Sequence, residues 1–416
     1  MIKILVIADD FTGALDTGVK FSQKGIDTKV AFGCEYDFAG ESVAVLVLCL
    51  PTRHLPYREA YEMVCRVALR AQIAGVEILF KKTDSALRGN VGAELSAVLD
   101  GYGKGSVCFM PAFPAMKRIT VNGIHYIDGV PVAQSVFGSD PFEPVTESYI
   151  PCLLHKQCDT PIELVSRGCL CDISLEKNGL IYLFDVKTDD DLNEYVCTVR
   201  DKGMLHLVAG CAGVADVLAN SLDFKRETKV NDLKRDGGLI VVCGSINPIS
   251  CEQMITAEAC GYRRLTIPYQ ELISDDVHDS AAERATVDWI IEAYAASGNL
   301  LISTQRVPDN LFAPERVEEM QEKLRQVISA RVGAILKSVL DSGTDARIMI
   351  IGGDTLLAFL KAVSCTELRP IDELAPGTVR SVIRYHGKPV ELITKSGGFG
   401  NKNLITSLLG QPCHAS

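Results

Sequence analysis

The chain has 416 residues, 47% of them hydrophobic and 23% charged, which is ordinary globular composition and excludes a disordered, collagenous or disulfide-scaffold protein. At roughly 150 residues per domain, that length accommodates two or three domains. Forty-two Lys and Arg against 53 Asp and Glu give a net charge of −11, which argues against a sequence-independent nucleic-acid binder, because such a surface must neutralise phosphates.

Residues 2–8 are apolar apart from Lys3 and predict a buried strand that breaks at Asp9-Asp10. The run is too short for a signal-peptide core, and no stretch approaches the roughly 18 apolar residues of a membrane span. A cytoplasmic protein with no membrane partner is the expectation. A helix follows over about 12–24, then strands at 28–32 and 43–49, a helix over 57–74, a strand at 77–81, a helix over 91–99 and a strand at 106–110. Residues 119–132 differ: they are β-rich and punctuated by Asn122-Gly123 and Asp128-Gly129, which predicts a hairpin added to the sheet. Alternation resumes with a strand at 180–186, a helix at 190–202, a strand at 205–208 and a helix after Gly210.

Residues 223–238 are charged and lack apolar periodicity, so they mark a domain boundary between 1–225 and 238–416. Beyond it come a strand at 239–243, a helix from about Ile249, a strand at 264–267, two long helices within 280–341, a strand at 347–351, a helix after Thr355, strands at 379–384 and 390–394, and a helix from about Lys402. The fold class is α/β: two α/β domains with mostly parallel sheets and a β-hairpin insertion in the N-terminal one. The fifteen cysteines form no regular framework, and Cys169 and Cys171 have no second pair at zinc-finger spacing. Reduced, mostly buried thiols are expected.

Ligands of open α/β sheets bind beyond the carboxyl ends of the strands, and six such ends here carry unusual loops. The first places Asp9 and Asp10 against a helix start. Helix capping accounts for one carboxylate, and the other suits a general base or a substrate-hydroxyl acceptor. Arg53 follows the strand ending near Leu50. The third loop, 81–90, holds Lys81, Lys82, Thr83, Asp84, Ser85 and Arg88 ahead of a helix. Its helix start favours an anion, and Arg88 can fork onto a carboxylate or phosphate, whereas Arg53 taken alone reads as a solvated surface charge. Asn90 reads otherwise as a plain N-cap. His125 lies in the hairpin and reads as structural, and residues 109–114 read as a rigid, Pro-rich strand exit.

Three further loops in the C-terminal half are glycine-lined and each opens a helix: Gly244-Ser245-Ile246-Asn247-Pro248, Gly352-Gly353-Asp354-Thr355 and Ser396-Gly397-Gly398-Phe399-Gly400-Asn401. Glycines let backbone approach phosphate oxygens while helix starts supply N–H donors, which predicts a nucleotide-phosphate site. The Walker A pattern, a zinc-hydrolase H-E-x-x-H pair and a Gly-x-Ser-x-Gly elbow are all absent.

In this order, ADDFTGA (8–14), KTDSALRGNVGAEL (82–95), GSINP (244–248), GGDT (352–355) and KSGGFG (395–400) resemble the four-carbon acid sugar kinase family over essentially the whole chain. The resemblance implies ATP-dependent phosphorylation of the terminal (4-) hydroxyl of a four-carbon sugar acid such as D-threonate or D-erythronate, with a 3-oxo-tetronate as the substrate variant. It implies substrate positions at Asp9, Arg53, Lys82, Thr83, Asp84 and Ser85. It implies ATP positions at Ser245, Gly352, Gly353, Asp354, Thr355, Gly397, Gly398, Phe399 and Gly400. Ala86 stands where family members often have Thr. From the chemistry, Asp9 or Asp84 is the expected base, and Asp10 a helix cap or supporting group. Mg²⁺ is expected to accompany ATP with no protein ligand assigned. Two ligands on two domains imply a closure that excludes water. The competing readings are a non-catalytic sensor of nucleotide and sugar acid, and an NAD-dependent dehydrogenase, against which the missing early glycine fingerprint argues. The oligomeric state stays open, a homo-oligomer included.

Overall fold

A computed structural model describes residues 2–38, 40–103, 105–140, 143–170, 173–174, 177–226, 237–273, 281–304 and 317–410. The chain divides into two compact units, Met1–Lys229 and Val230–Ser416.

The first unit alternates strands and helices: β1 (Ile4–Ala8), α1 (Phe11–Ser22), β2 (Thr28–Phe32), β3 (Val45–Cys49), α2 (Tyr57–Ile73), β4 (Ile78–Lys82), α3 (Val91–Tyr102) and β5 (Val107–Met110). After an insertion of β6 (Arg118–Val121), β7 (Ile124–Ile127) and β8 (Val130–Pro131) come α4 (Ile150–His155), β9 (Ile162–Val165), β10 (Ile181–Phe184), α5 (Asp189–Asp201), β11 (Leu207–Gly210) and α6 (Ala212–Ser221). Eight strands pair in the order β2-β3-β1-β4-β11-β5-β10-β9, every pair parallel. A parallel sheet is covered by helices on both faces. This is why all of β1 and β3 is buried and why their sequences are continuous apolar runs rather than alternating ones. Helix starts follow local chemistry. Asp10 caps α1 by accepting from Gly13 N, and Thr188 with Asp191 forms a reciprocal capping box on α5.

The insertion is not added to this sheet. β6, β7 and β8 form a separate antiparallel sheet, tied to flanking segments by bonds such as Thr120 N to Val186 O and His125 N to Ser148 O, both 2.9 Å.

The second unit contains β12 (Leu239–Cys243), α7 (Pro248–Ala259), β13 (Arg264–Ile267), α8 (Tyr269–Ile273), α9 (Ala281–Ser297), β14 (Asn299–Thr304), α10 (Val317–Asp341), β15 (Arg347–Ile351), α11 (Gly353–Ala362), β16 (Glu367–Ala375), β17 (Thr378–Tyr385), β18 (Lys388–Lys395) and α12 (Leu404–Leu408). Its strands run β13-β14-β12-β15-β18-β17-β16. The first five are parallel, and β17 pairs antiparallel with both β18 and β16. Leu239, Val241, Met349, Ile351, Ile393 and Ile405 pack together in its core.

Three strands lie where sequence patterning predicts none. β14 interrupts the region read as two helices, β9 is a four-residue run broken by Glu163, and β16 is too polar for an apolar-run criterion. Most of the charged boundary, residues 227–236, lies outside the described residues, as does Cys171. Among the described residues eleven cysteines are free: Cys49, Cys108, Cys211 and Cys243 are buried, five are half-buried, and Cys152 and Cys251 are exposed. Cys260 is disulfide-bonded, against the expectation of reduced, mostly buried thiols throughout. No helix among the described residues is long and apolar enough to cross a membrane.

Candidate active site

Strand register builds the site in the first unit. Ala8 at the end of β1 pairs with Cys49 of β3 and Lys82 of β4, and Gly210 of β11 pairs with Lys82 and with Met110 of β5. The loops leaving these strands therefore start side by side. Asp9, Arg53 and the 83–88 segment, far apart in sequence, meet at one sheet edge.

Arg53 is the hub. It donates from Nε to Asp9 Oδ2 and from Nη2 to Asp10 Oδ1, both at 2.7 Å, and its Nη2 stands 3.7 Å from Asp84 Oδ1. Burial opposes the Arg53 charge, but Asp10, Asp9 and Asp84 outweigh it and hold its pKa well above the ordinary arginine value. Asp84 accepts Arg88 Nε at 2.8 Å and Nη2 at 3.1 Å on its two oxygens, and also the amides of Ala86 and Arg88. Burial would raise the Asp84 carboxyl, yet Arg88 and Arg53 hold it well below the usual range. Arg88 also reaches Asp140 at 3.2 Å. Burial likewise works to raise Asp9, and Arg53, Lys81 and Lys82 outweigh it, leaving Asp9 lowered.

Two groups stay open. Asp9 Oδ1 and Thr83 Oγ1 are buried and lack a hydrogen-bond partner among the described residues. A buried polar atom without a protein partner is costly, so a water, an ion or a ligand completes it. Lys82 is buried, and its ammonium donates to Thr83 O at 2.8 Å. Ser85 Oγ accepts from Arg118 Nη1.

Beneath this layer lies a pair that sequence reading left without a role. Lys81 Nζ stands 2.9 Å from Glu94 Oε2, both side chains almost fully buried, and Glu94 Oε1 accepts the Thr52 hydroxyl. Burial pushes the Glu94 carboxyl up against the pull of Lys81. The signal available was a lysine at the end of an apolar strand and a glutamate in an otherwise apolar first turn of α3.

Two expectations need correction. Asn90 does not cap α3 with its side chain. Its amide donates to Thr52 O and Leu55 O at 2.8 Å, clamping the segment that carries Arg53. The start of α3 is also no anion site: Gly92 N and Ala93 N donate to Gln157 Oε1 at 2.8 and 3.3 Å. His125 is structural, as expected. Its Nε2–H donates to Ser85 O at 3.0 Å, so Nδ1 accepts the Thr120 hydroxyl. Burial pushes its pKa down to about 4.

In the second unit, Cys243, Ile351 and Lys395 align at adjacent strand ends, so the three glycine-lined loops converge. Packing is tight. A Cβ on Gly244 would lie 1.9 Å from Thr355 Oγ1, and one on Gly397 would lie 2.5 Å from Ser245 Oγ. The third loop is fastened by its carbonyls. Ser250 Oγ donates to Gly397 O at 2.6 Å, and Gln253 Nε2 donates to Phe399 O at 3.1 Å and Asn401 O at 2.9 Å. Buried Lys395 donates to Ser396 O at 2.9 Å, and burial lowers its pKa to about 8. α11 begins at Gly353, so the first-turn amides at Gly353, Asp354 and Thr355 have no acceptor within the helix. Sequence reading named Ser245, Gly352, Gly353, Asp354, Thr355, Gly397, Gly398, Phe399 and Gly400 here, and missed Ser250, Gln253 and Lys395, which shape the loop from behind.

A family model for a sugar-binding N-terminal domain matches residues 4–218, and one for a nucleotide-binding C-terminal domain matches residues 240–405. The chain belongs to the four-carbon acid sugar kinase family. Relatives within this kinase family include the D-threonate kinase of Salmonella typhimurium, 26% identical over 98% of this chain and 97% of the relative. The 3-oxo-tetronate kinase of Pseudomonas fluorescens is 26% identical over 97% and 96%, and the D-erythronate kinase of Heliobacterium modesticaldum 25% identical over 97% and 95%. The fold is shared with a crystal structure from Salmonella typhimurium LT2 (TM-score 0.78, 20% identity, 99% of each chain). It is also shared with Haemophilus influenzae protein HI1011 (TM-score 0.73, 20% identity, 98% of this chain and 99% of that one).

Proposed function

We propose that this family member is an ATP-dependent kinase that phosphorylates the terminal hydroxyl of a four-carbon sugar acid. In this reading the first unit binds the acid and the second binds ATP. The observation that carries it is Asp9 Oδ1: a buried carboxylate oxygen with no partner among the described residues, at a strand end among Arg53, Lys81 and Lys82, inside the span matched by the sugar-binding family model. The named kinases that span nearly the whole chain support the same chemistry.

The substrate hydroxyl oxygen attacks the γ-phosphorus, the bond from that phosphorus to the β,γ-bridging oxygen breaks, and ADP leaves. The hydroxyl proton passes to Asp9 Oδ1. A carboxylate held below its ordinary pKa is a weak base, yet suffices where the proton leaves as the new P–O bond forms. Asp84 does not share this task, because Arg88 occupies both its oxygens; it orders the 83–88 loop instead. Thr83 and Ser85 hydroxyls take substrate oxygens, and Lys82 supplies positive charge to the acid.

In the second unit, the amides of Gly353, Asp354 and Thr355 and the loops holding Ser245, Gly352, Gly397, Gly398, Phe399 and Gly400 cradle the ATP phosphates. A divalent ion such as Mg²⁺, when bound, neutralises phosphate charge. No three His, Cys, Asp or Glu side chains gather into a metal site among the described residues. The donor set suits an ion carried mainly by phosphates and water, with the exposed Asp354 carboxylate as the acidic donor in these loops.

The test is ADP release from ATP and Mg²⁺ in the presence of D-threonate, D-erythronate or a 3-oxo-tetronate. One acid stimulating ADP release and yielding a 4-phosphate supports the reading. Binding of acid and nucleotide with no ADP release from any of the acids would instead make the protein a sensor.

A further inference from the structure

We propose that Arg118, carried by the three-stranded insertion, is a carboxylate-binding residue that selects an acid over the corresponding neutral polyol. This rests on the sugar-acid reading above and adds to it a residue from outside the parallel sheet.

The reason is the state of the other cations. Arg53 faces Asp9, Asp10 and Asp84; Arg88 faces Asp84 and Asp140; Lys81 faces Glu94. Their charge is spent inside the protein, so a bound carboxylate gains little from them. Arg118 has no carboxylate within 4.0 Å among the described residues. Its Nη1 donates to the Ser85 hydroxyl, and its Nε is buried with no acceptor. An unsatisfied N–H on a buried guanidinium edge is the donor that a planar carboxylate matches.

The group is also held in place. The Phe137 ring lies 5.4 Å from the Arg118 guanidinium carbon and 5.1 Å from that of Arg88, so one aromatic plate carries both. The Arg118 backbone is pinned by Phe113 N to Arg118 O at 2.7 Å and Arg118 N to Phe113 O at 3.2 Å. This gives the Pro-rich strand exit a purpose: it aims the first residue of β6 back at the 83–88 loop. Arg118 and Lys82 both pull down the burial-raised pKa of the Cys211 thiol. The two cations therefore share one neighbourhood, Arg118 Nη1 on the Ser85 hydroxyl and Lys82 Nζ on Thr83 O.

The test compares wild type with Arg118→Ala and Arg118→Lys, using D-threonate and D-erythronate against threitol and erythritol. Arg118→Ala is expected to raise the KM for the acid by roughly 10–100-fold, the range for a lost charged hydrogen-bond pair. The KM for ATP should stay within about twofold, and calorimetric affinity for the polyols should not change. Arg118→Lys keeps the charge but not the fork and should recover only part of the loss. Acid KM within about twofold of wild type in Arg118→Ala, or equal weakening of acid and polyol, would overturn the proposal. Should Arg118→Ala fail to fold, Arg118→Lys and Phe137→Leu decide, and unchanged acid KM in both counts against it. If wild type binds these acids but phosphorylates none, the kinase reading falls while the binding comparison still judges Arg118. If it binds none of them, both fall.

Discussion

Arg53 Nε donates to Asp9 Oδ2 at 2.7 Å, which leaves Asp9 Oδ1 as the open oxygen of a buried carboxylate. The pairing fixes the Asp9 carboxylate plane and dictates which oxygen can meet a substrate. It separates Asp9 from Asp84, whose two oxygens are both occupied by Arg88.

Asp9→Asn is therefore expected to lower kcat by about 10²–10⁴-fold, the usual range for a lost general base, with sugar-acid and ATP affinities nearly unchanged. Asp84→Asn should act mainly on acid KM and on stability, through disorder of the 83–88 loop. Steady-state kinetics with both substrates varied separates the two. Near-normal kcat in Asp9→Asn would remove Asp9 from the chemistry.

Arg53→Met strands Asp9, Asp10 and Asp84 without their shared cation. Breaking a buried ion pair by removing one partner costs about 3–5 kcal/mol, read by urea denaturation at pH 7. The sign with pH is distinctive. Arg53 is the largest of the cations that outweigh burial at Asp9, so without it the folded-state pKa of Asp9 rises relative to wild type and the native variant takes up that proton at a higher pH. The deficit relative to wild type should shrink as pH falls from neutral, and a constant deficit would contradict this account.

Gly398→Val tests the nucleotide loops without disturbing the fold. A Cβ there meets only Asn247 Nδ2, at 3.6 Å, so melting should move little. The apparent KM for ATP should rise at least about tenfold if backbone there approaches phosphate, the effect of losing one charged hydrogen bond. Gly244→Ala is the contrast: its Cβ would clash with Thr355, so that variant should lose stability as well. Unchanged ATP kinetics in Gly398→Val would move the phosphates elsewhere.

His125 should make the first unit acid-sensitive. Burial holds its folded pKa at about 4 against an unfolded value of 6.5. Between those values the unfolded chain binds the proton and the native one does not, so stability falls as pH is lowered through that window. The cost builds to roughly 3 kcal/mol by pH 4. His125→Gln, which retains a donor for Ser85 O, should lose this slope, and equal slopes in wild type and variant would refute it.

Local patterns carried a large part of this protein. The buried strand ending in Asp9-Asp10, the 82–88 segment and the three glycine-lined loops are strand–loop–helix junctions, and strand burial, turn chemistry and helix starts are written in neighbouring residues. Asp10 as a helix cap and His125 as a structural residue were readable for the same reason. What only tertiary structure decided is which of these junctions touch, and which charges remain unspent. Parallel register places Ala8 beside both Cys49 and Lys82, and that alignment turns three separate loops into one charge cluster. Gln157 reaches 65 residues back to occupy the start of α3, and Arg118 reaches 33 residues back to Ser85. A sequence shows that a lysine or arginine is present, but its charge is available to a ligand only if folding brings no carboxylate to meet it. That balance is a sum over contacts between distant segments: Arg53 meets Asp9, Asp10 and Asp84, while Arg118, unremarkable in sequence, keeps a buried Nε with no acceptor among the described residues.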